Sequence, residues 1–337
     1  MVAHFDLIKS RSLAIMDPIY INKDKVASLL PMGECISQMA QMFQAKARGE
    51  ILQPLRSVLW LPDKKGLLGL MPAYAGNPAI LGIKVISVFP GNMGTATPTH
   101  QGVVILFDAE NGQPLLMLDG AEITAIRTAA ASAAATSILS RENAEVLAII
   151  GSGEQAARHV ESILLVRKIK QVNCWSRNGD HASTFAKETA ERHRIEVNRF
   201  DDPREAVQDA DIICTVTASR EPVVAGEWLP RGVHINAVGA CTPAARELDT
   251  AAIAGSKLFT DSYDSIFHEA GDFLIPKKEG AVTNDHVKAE IGEVICGTKK
   301  GRENADDITV FKSLGIAAED LFSAWHVWKK VAGDGGF

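Results

Sequence analysis

The chain has 337 residues, 46% of them apolar, enough to bury one large core or two smaller ones, and two domains are expected. Its 35 basic and 41 acidic residues leave a net charge of −6, which argues against nucleic acid or an anionic membrane as a main partner. An acidic ligand would therefore need a local cluster of cations.

The opening "MVAHFDLIKSRSLAIMDPIY" lacks the basic end, unbroken apolar stretch and cleavage site of a signal peptide. No uncharged apolar run reaches the roughly 18 residues that would span a bilayer. The five cysteines, at 35, 174, 214, 241 and 296, have no CxxC spacing and read as reduced thiols of a cytoplasmic protein.

Residues 23 to 47 carry Leu29, Met32, Ile36, Met39 and Phe43 at helical spacing and predict one helix. From "LRSVLWLP" through "GLLGLMPAY", "ILGIKVISVF" and "GVVILFDAENGQPLLMLDG" the pattern changes to short β-rich runs, with Asn111-Gly112 as a hairpin turn. A helix-plus-antiparallel-sheet domain follows from this. The Ala-rich "AEITAIRTAAASAAATSIL" predicts one long helix.

Strands and helices then alternate. The runs "EVLAIIG", "QVNCWSR", "IEVNRF", "ADIICTVT", "GVHINAVGA" and "KLFTDS", most of them separated by helix-like stretches, indicate a Rossmann-type doubly wound parallel sheet. The overall class is α/β, with an α+β first domain beside that sheet. The chain returns through "DITVFKSLG" to an amphipathic helix, "IAAEDLFSAWHVWKK", expected to pack back on the first domain.

In "VLAIIGSGEQA", an apolar strand runs into Gly151, Ser152, Gly153, Glu154, Gln155 and Ala156 and then a helix. Gly151 permits the tight turn, Gly153 lets the backbone approach a pyrophosphate, and Ala156 keeps helix and sheet close. The helix N–H groups then face the phosphates. The next strand ends in Ser176-Arg177-Asn178, where an NAD site usually offers a carboxylate. A hydroxyl and a guanidinium suit a 2′-phosphate, so NADP(H) is favoured, with NAD(H) still admitted. The competing reading makes Arg177 a solvated loop residue and Asp180 a helix cap.

Three cations sit in costly places. Lys84 shares a strand face with Ile86 and Val88, Arg56 shares one with Val58 and Trp60, and Arg127 lies near a helix start, where the dipole opposes it. A bound carboxylate would resolve all three; snorkelling or surface pairing would resolve each singly. Nothing resembles a metal cluster or a GxSxG nucleophile, so no metal is expected. His234 reads as a core residue, and His100 reads equally as a site or a loop residue.

The stretches "QPLRSV", "GIKVISVF", "PTHQGVVILFD", "LDGAEITAIRTAAASAAAT", "IIGSGEQA", "RELD" and "DITVFKSLGIAAED" together resemble the ornithine cyclodeaminase/mu-crystallin family, from about residue 20 to 330. The resemblance implies a homodimer built through a substrate-binding domain of residues 1–125 and 315–337, with residues 126–314 as the dinucleotide-binding domain. It assigns Arg56, Lys84 and Arg127 to the substrate carboxylate and imine. It gives Thr128, the 151–156 loop, Ser176, Arg177, Asn178, Thr217, Val238, Lys312 and Ser313 to the cofactor.

The sequence departs from the cyclodeaminase pattern at "NAVGACTPAARELD", where Cys241 stands in place of an Asp that acts on the amine. With no carboxylate before Glu247, the base for cyclodeamination is missing. The expectation is a ketimine reductase acting on a small imino acid such as Δ1-pyrroline-2-carboxylate or Δ1-piperideine-2-carboxylate, with Lys84 as proton donor or as the group that orients it. An ornithine or lysine cyclodeaminase, an alanine-dehydrogenase-like enzyme and a non-catalytic NADP-binding protein are the alternatives.

Overall fold

The computed structural model describes residues 18–92 and 94–333. Residues 1–17, where a targeting signal was sought, and the final four residues assigned to the first domain lie outside them.

Strand β1 (Ile19–Ile21) leads into α1 (Lys23–Leu29), capped by the Asn22 side chain accepting from the Lys25 N–H at 3.0 Å. The single helix expected over residues 23 to 47 is two. Pro31 disfavours helical backbone at Leu30 (φ −121°, ψ 67°), and α2 (Met32–Ala47) starts afresh. Its Met32, Cys35, Met39, Met42 and Phe43 form the buried stripe.

Strands β2 (Ile51–Leu52), β3 (Ser57–Trp60), β4 (Leu67–Gly76), β5 (Ala79–Val88), β6 (His100–Asp108) and β7 (Pro114–Asp119) join β1 in one sheet of order β1-β7-β6-β5-β4-β2, with β3 also pairing with β4. The pairings are antiparallel as expected, except that β1 runs parallel to β7. Gly112, at φ +76°, makes the expected turn between β6 and β7.

One face of this sheet is buried. It carries Met71, Ala73, Ile80, Val104, Leu106, Leu116 and Leu118, and amid these aliphatics, on β5, Lys84. Asp119 caps α3 (Gly120–Leu139), whose small side chains are nearly all buried. Ala and Ser leave room for α2, α4 and both sheets to approach, so α3 runs as one helix through the expected 125/126 boundary.

The second half runs through β8 (Val146–Ile150), α4 (Glu154–Val166), β9 (Gln171–Trp175), α5 (Gly179–His193), β10 (Glu196–Arg199), α6 (Pro203–Val207) and β11 (Ile212–Thr215). It continues with β12 (His234–Ala237), α7 (Thr250–Ala254), β13 (Lys257–Thr260), α8 (Tyr263–Glu269), α9 (Gly271–Lys278), β14 (Val287–Glu290), α10 (Ile291–Ile295) and β15 (Thr309–Lys312). The eight strands form a wholly parallel sheet of order β10-β9-β8-β11-β12-β15-β13-β14. Two of them, β14 and β15, go beyond the six expected. "TVFK" belongs to β15, which inserts between β12 and β13.

The chain reverses direction across the sheet between β8 and β11, the crevice where such sheets bind ligands. Finally α11 (Ala317–Ala332) crosses back onto α2, α3 and the first sheet, as its amphipathic pattern predicts. It comes very close at Gly82, where a Cβ would stand 2.7 Å from Leu321 Cδ1.

Gly102 is a similar contact inside the sheet, since a Cβ there would lie 2.2 Å from the Val85 carbonyl oxygen, a backbone atom that cannot step aside. Gly102→Ala should therefore lower unfolding free energy by about 1–3 kcal/mol, read from the midpoint of urea denaturation.

Candidate active site

All C-terminal strand ends of the parallel sheet lie along one edge, and the glycine loop leaves β8 there. Gly151 has φ +126°, and a Cβ on it would stand 2.8 Å from the Val216 carbonyl oxygen, so the turn needs glycine twice over. At Gly153 a Cβ would meet nothing within 4 Å. The chain keeps that spot bare without any protein atom requiring it, which fits the approach of an outside group such as a pyrophosphate. Gly153 is the N-cap of α4, Glu154 is exposed beside it, and Ala156 is fully buried against the sheet.

Ser152 Oγ donates to Ser176 Oγ at 2.9 Å, tying the loop to the end of β9. Arg177 is exposed. Asn178, expected as a phosphate ligand, has its side-chain Oδ1 engaged as the N-cap of α5, accepting from the Asp180 and His181 N–H groups at 3.0 Å. That cap role had been considered for Asp180; an Asx side chain just before the helix takes it instead.

Thr217, at the end of β11, is held by Glu247, which accepts from its N–H at 2.6 Å and its hydroxyl at 2.7 Å. Glu247 also accepts from Thr215 Oγ1 and from the Gly239 N–H, which pins the loop after buried Val238. Its own proton affinity is raised, chiefly by burial, with Lys312 opposing.

Lys312 is fully buried, and its ammonium lies 2.9 Å from Asp272 Oδ2. Lys312, expected at the cofactor, thus makes an internal ion pair. The neighbouring Ser313 hydroxyl is buried without a hydrogen-bond partner, which suits a polar ligand group there. Thr128, in α3, is buried and its hydroxyl is spent on the Thr124 carbonyl at 2.7 Å.

The structure brings the three unusual cations together. Arg56 precedes β3 by one residue and so lies outside the strand expected to carry it. Its guanidinium donates to Glu269 Oε1 at 2.9 Å and to the carbonyls of Leu314 and Gly315 at 2.8 and 3.1 Å. Those carbonyls follow β15, so Arg56 reaches from the first sheet to the working edge of the second.

On the other side of that segment, Arg127 donates through Nη1 to Glu319 and through Nε to Asp320 at 3.1 Å. The anion expected to relieve Arg127 is supplied here by α11. Gly315 must be glycine on both counts, with φ +72° and a Cβ that would fall 2.4 Å from Arg127 Nη1.

Lys84 is 3% exposed, with Nζ 2.7 Å from Asp320 Oδ2 and 3.4 Å from the Thr124 hydroxyl. Burial, with Arg127 nearby, pushes its ammonium down to about 8, against the pull of Asp320. Burial likewise pushes Glu319 up to about 7, with Arg127 opposing. Glu319 and Asp320 escape a reading of the sequence because they fall inside a helix that looks ordinarily amphipathic. The signal available was two consecutive carboxylates followed by an apolar face.

His100 is exposed at the start of β6, its Nδ1 beside the Thr99 hydroxyl at 3.0 Å. Its pKa is lowered, first by burial, and it feels both Glu154 of the glycine-loop helix and Lys84. Cys241, half-buried, donates to the Val238 carbonyl, and burial keeps its thiol neutral despite Lys312 and Arg56. His234 is a core residue, with Nδ1 against Thr309. Among the described residues no cluster fit for a metal ion occurs.

Asp272 also accepts from the Glu247 and Leu248 N–H groups at 2.8 and 2.9 Å. Asp272→Ala would leave Lys312 charged and alone, so a loss of about 3–5 kcal/mol in stability is expected, measured by denaturant titration.

A family model for the ornithine cyclodeaminase/mu-crystallin family matches residues 16–335. A Δ1-pyrroline-2-carboxylate reductase of Bacillus cereus is 36% identical over 94% of this chain and 98% of its own length. The ketimine reductase mu-crystallin of Mus musculus is 41% identical over 83% of this chain and 85% of its own. Among solved structures, a Thermococcus litoralis Δ1-pyrroline-2-carboxylate reductase in complex with NADH and L-proline superposes with a TM-score of 0.91 at 36% identity, over 94% of this chain and 98% of that one. With a match this long and relatives this similar at nearly full length, the chain belongs to the ornithine cyclodeaminase/mu-crystallin family.

Proposed function

We propose that the protein is an NAD(P)H-dependent ketimine reductase that converts cyclic imino acids such as Δ1-pyrroline-2-carboxylate or Δ1-piperideine-2-carboxylate to L-proline or L-pipecolate. The observation that carries this is Lys84, a buried ammonium whose proton affinity is lowered to about 8, set between two guanidinium groups. The reductases among its relatives support the same reading.

Gly151, Gly153 and the start of α4 would hold the pyrophosphate, Ser176 and Arg177 the adenine ribose with its 2′-phosphate, and Thr217 and Ser313 the nicotinamide end. NADP(H) is favoured over NAD(H), because the end of β9 offers a hydroxyl and a guanidinium where a ribose-binding carboxylate would otherwise stand. When bound, the reduced nicotinamide supplies the hydride.

Arg56 and Arg127 bind the substrate carboxylate and fix the imine carbon in place, which is a proximity effect. Arg127 already serves two carboxylates, so Arg56 supplies the larger part of the clamp. As the carbon gains hydride, the C=N pair moves to nitrogen, and Lys84 Nζ delivers the proton there. Cys241, a neutral thiol, offers no base for releasing ammonia from a diamino acid. The first sheet leaves Leu59, Trp60 and Leu81 exposed, and a homodimer through that domain would cover them.

The deciding assay follows NADPH consumption with the two cyclic ketimines beside ammonia release from ornithine. Cofactor loss without ammonia is expected; ammonia without net cofactor loss would sink the reading. Lys84→Ala should cut turnover by about 100-fold or more while the dissociation constant for NADPH stays the same. Because Lys84 acts in its charged form and its proton affinity is lowered to about 8, turnover should hold below that pH and fall as pH rises through it. Arg177→Ala should weaken NADPH binding about tenfold and leave NADH binding unaltered, read by isothermal titration.

A further inference from the structure

Lys84 cannot act as a proton donor at neutral pH unless something offsets its surroundings. It sits on β5 among Ile80, Gly82 and Val104, on the face of the sheet that the helices cover. From α3 it meets the Arg127 guanidinium, which lowers its proton affinity, and the Thr124 hydroxyl. Arg56, ahead of β3, lowers it further, and His100 on β6 is within electrostatic reach.

From α11 comes Asp320, which raises it, with Glu319 one step removed beyond Arg127. The two carboxylate oxygens of Asp320 have separate tasks. Oδ1 accepts from Arg127 Nε, whereas Oδ2 has no hydrogen-bond donor and forms an ion pair with Lys84 Nζ at 2.7 Å. The close seat of α11 over Gly82 brings it there.

We propose that Asp320 is a positioning residue for imine reduction: its Oδ2 holds Lys84 Nζ in place and in the charged form, while Oδ1 anchors the pair to Arg127. This rests on the ketimine reductase reading, in which Lys84 supplies the proton. After that proton is delivered, neutral Lys84 stands beside a full negative charge, which favours its recharging from solvent before the next cycle. An Asp at this position therefore sets the upper pH at which the enzyme works, without touching substrate.

The test measures single-turnover oxidation of bound NADPH by Δ1-piperideine-2-carboxylate from about pH 6 to about pH 10 in four proteins besides the wild type. Asp320→Asn and Asp320→Ser remove the charge, and Ser leaves room for water if Asn disturbs folding. In both, the alkaline limb should move down by about one to three units. Near the wild-type midpoint the rate then falls about tenfold or more.

Glu319→Gln removes the carboxylate that does not touch Lys84 and should move the limb less than Asp320→Asn does. Asp320→Glu keeps the charge but pushes Nζ away by one methylene, so the limb stays and the plateau rate falls. A uniform loss of rate in Asn and Ser with an unmoved limb, or a wild-type plateau in Glu, would overturn the role given to Asp320. If the wild type itself shows no alkaline limb, or Lys84→Ala turns over normally, the parent reading of Lys84 fails instead.

Discussion

Four buried charges on three elements govern the architecture: Lys84 from β5, Arg127 from α3, and Glu319 with Asp320 from α11. They sum to zero, and all are almost wholly withdrawn from water. Removing one member would strand another in a medium that cannot solvate it, so the three elements can assemble only in one register. The close helix seat at Gly82 and the crowded left-handed turn at Gly315 are the backbone terms that let the charges meet. A hydrophobic replacement of the whole set could well be more stable; what the charges supply is a lysine held between two proton states near neutral pH.

A second buried set repeats the device at the edge of the parallel sheet. Glu247 and Asp272 take hydrogen bonds from the ends of β11 and β12 and from their own neighbourhood, and Lys312 of β15 pairs with Asp272 and attracts Glu247. They fix Thr217 and the 238–239 turn, which flank the crevice opened by the reversal of strand order between β8 and β11. Each half of the molecule thus presents a surface of exposed or neutral donors backed by ions that never see solvent.

Much of this could be read from sequence. Glycine spacing after an apolar strand, the Asn-Gly hairpin and the 20-residue Ala-rich helix are local signals, and the structure has all three. Lys84 and Arg127 stood out because a cation in an apolar pattern has few explanations. What remained hidden was relational. The partners of Arg127 lie 192 and 193 residues away in a helix that looks ordinary by itself. The break at Pro31 was overlooked because the hydrophobic spacing continues across it, and β15 because its place between β12 and β13 is decided by topology rather than composition. The pairing of Lys312 with Asp272 was hidden for the same reason, since the motif marks only its neighbourhood.

The distance along the chain between Arg127 and its carboxylates carries a temporal meaning. Glycine loop and parallel sheet consist of residues 146–312, and a growing polypeptide could fold them and engage a nucleotide while α11 is still unsynthesised. Lys84 would then lack both its counter-ion and the helix that covers its face of the sheet, so nothing would hold its ammonium in place. On the role proposed for Lys84, imine reduction would have to await α11, so a truncated or half-made chain would hold cofactor without spending it.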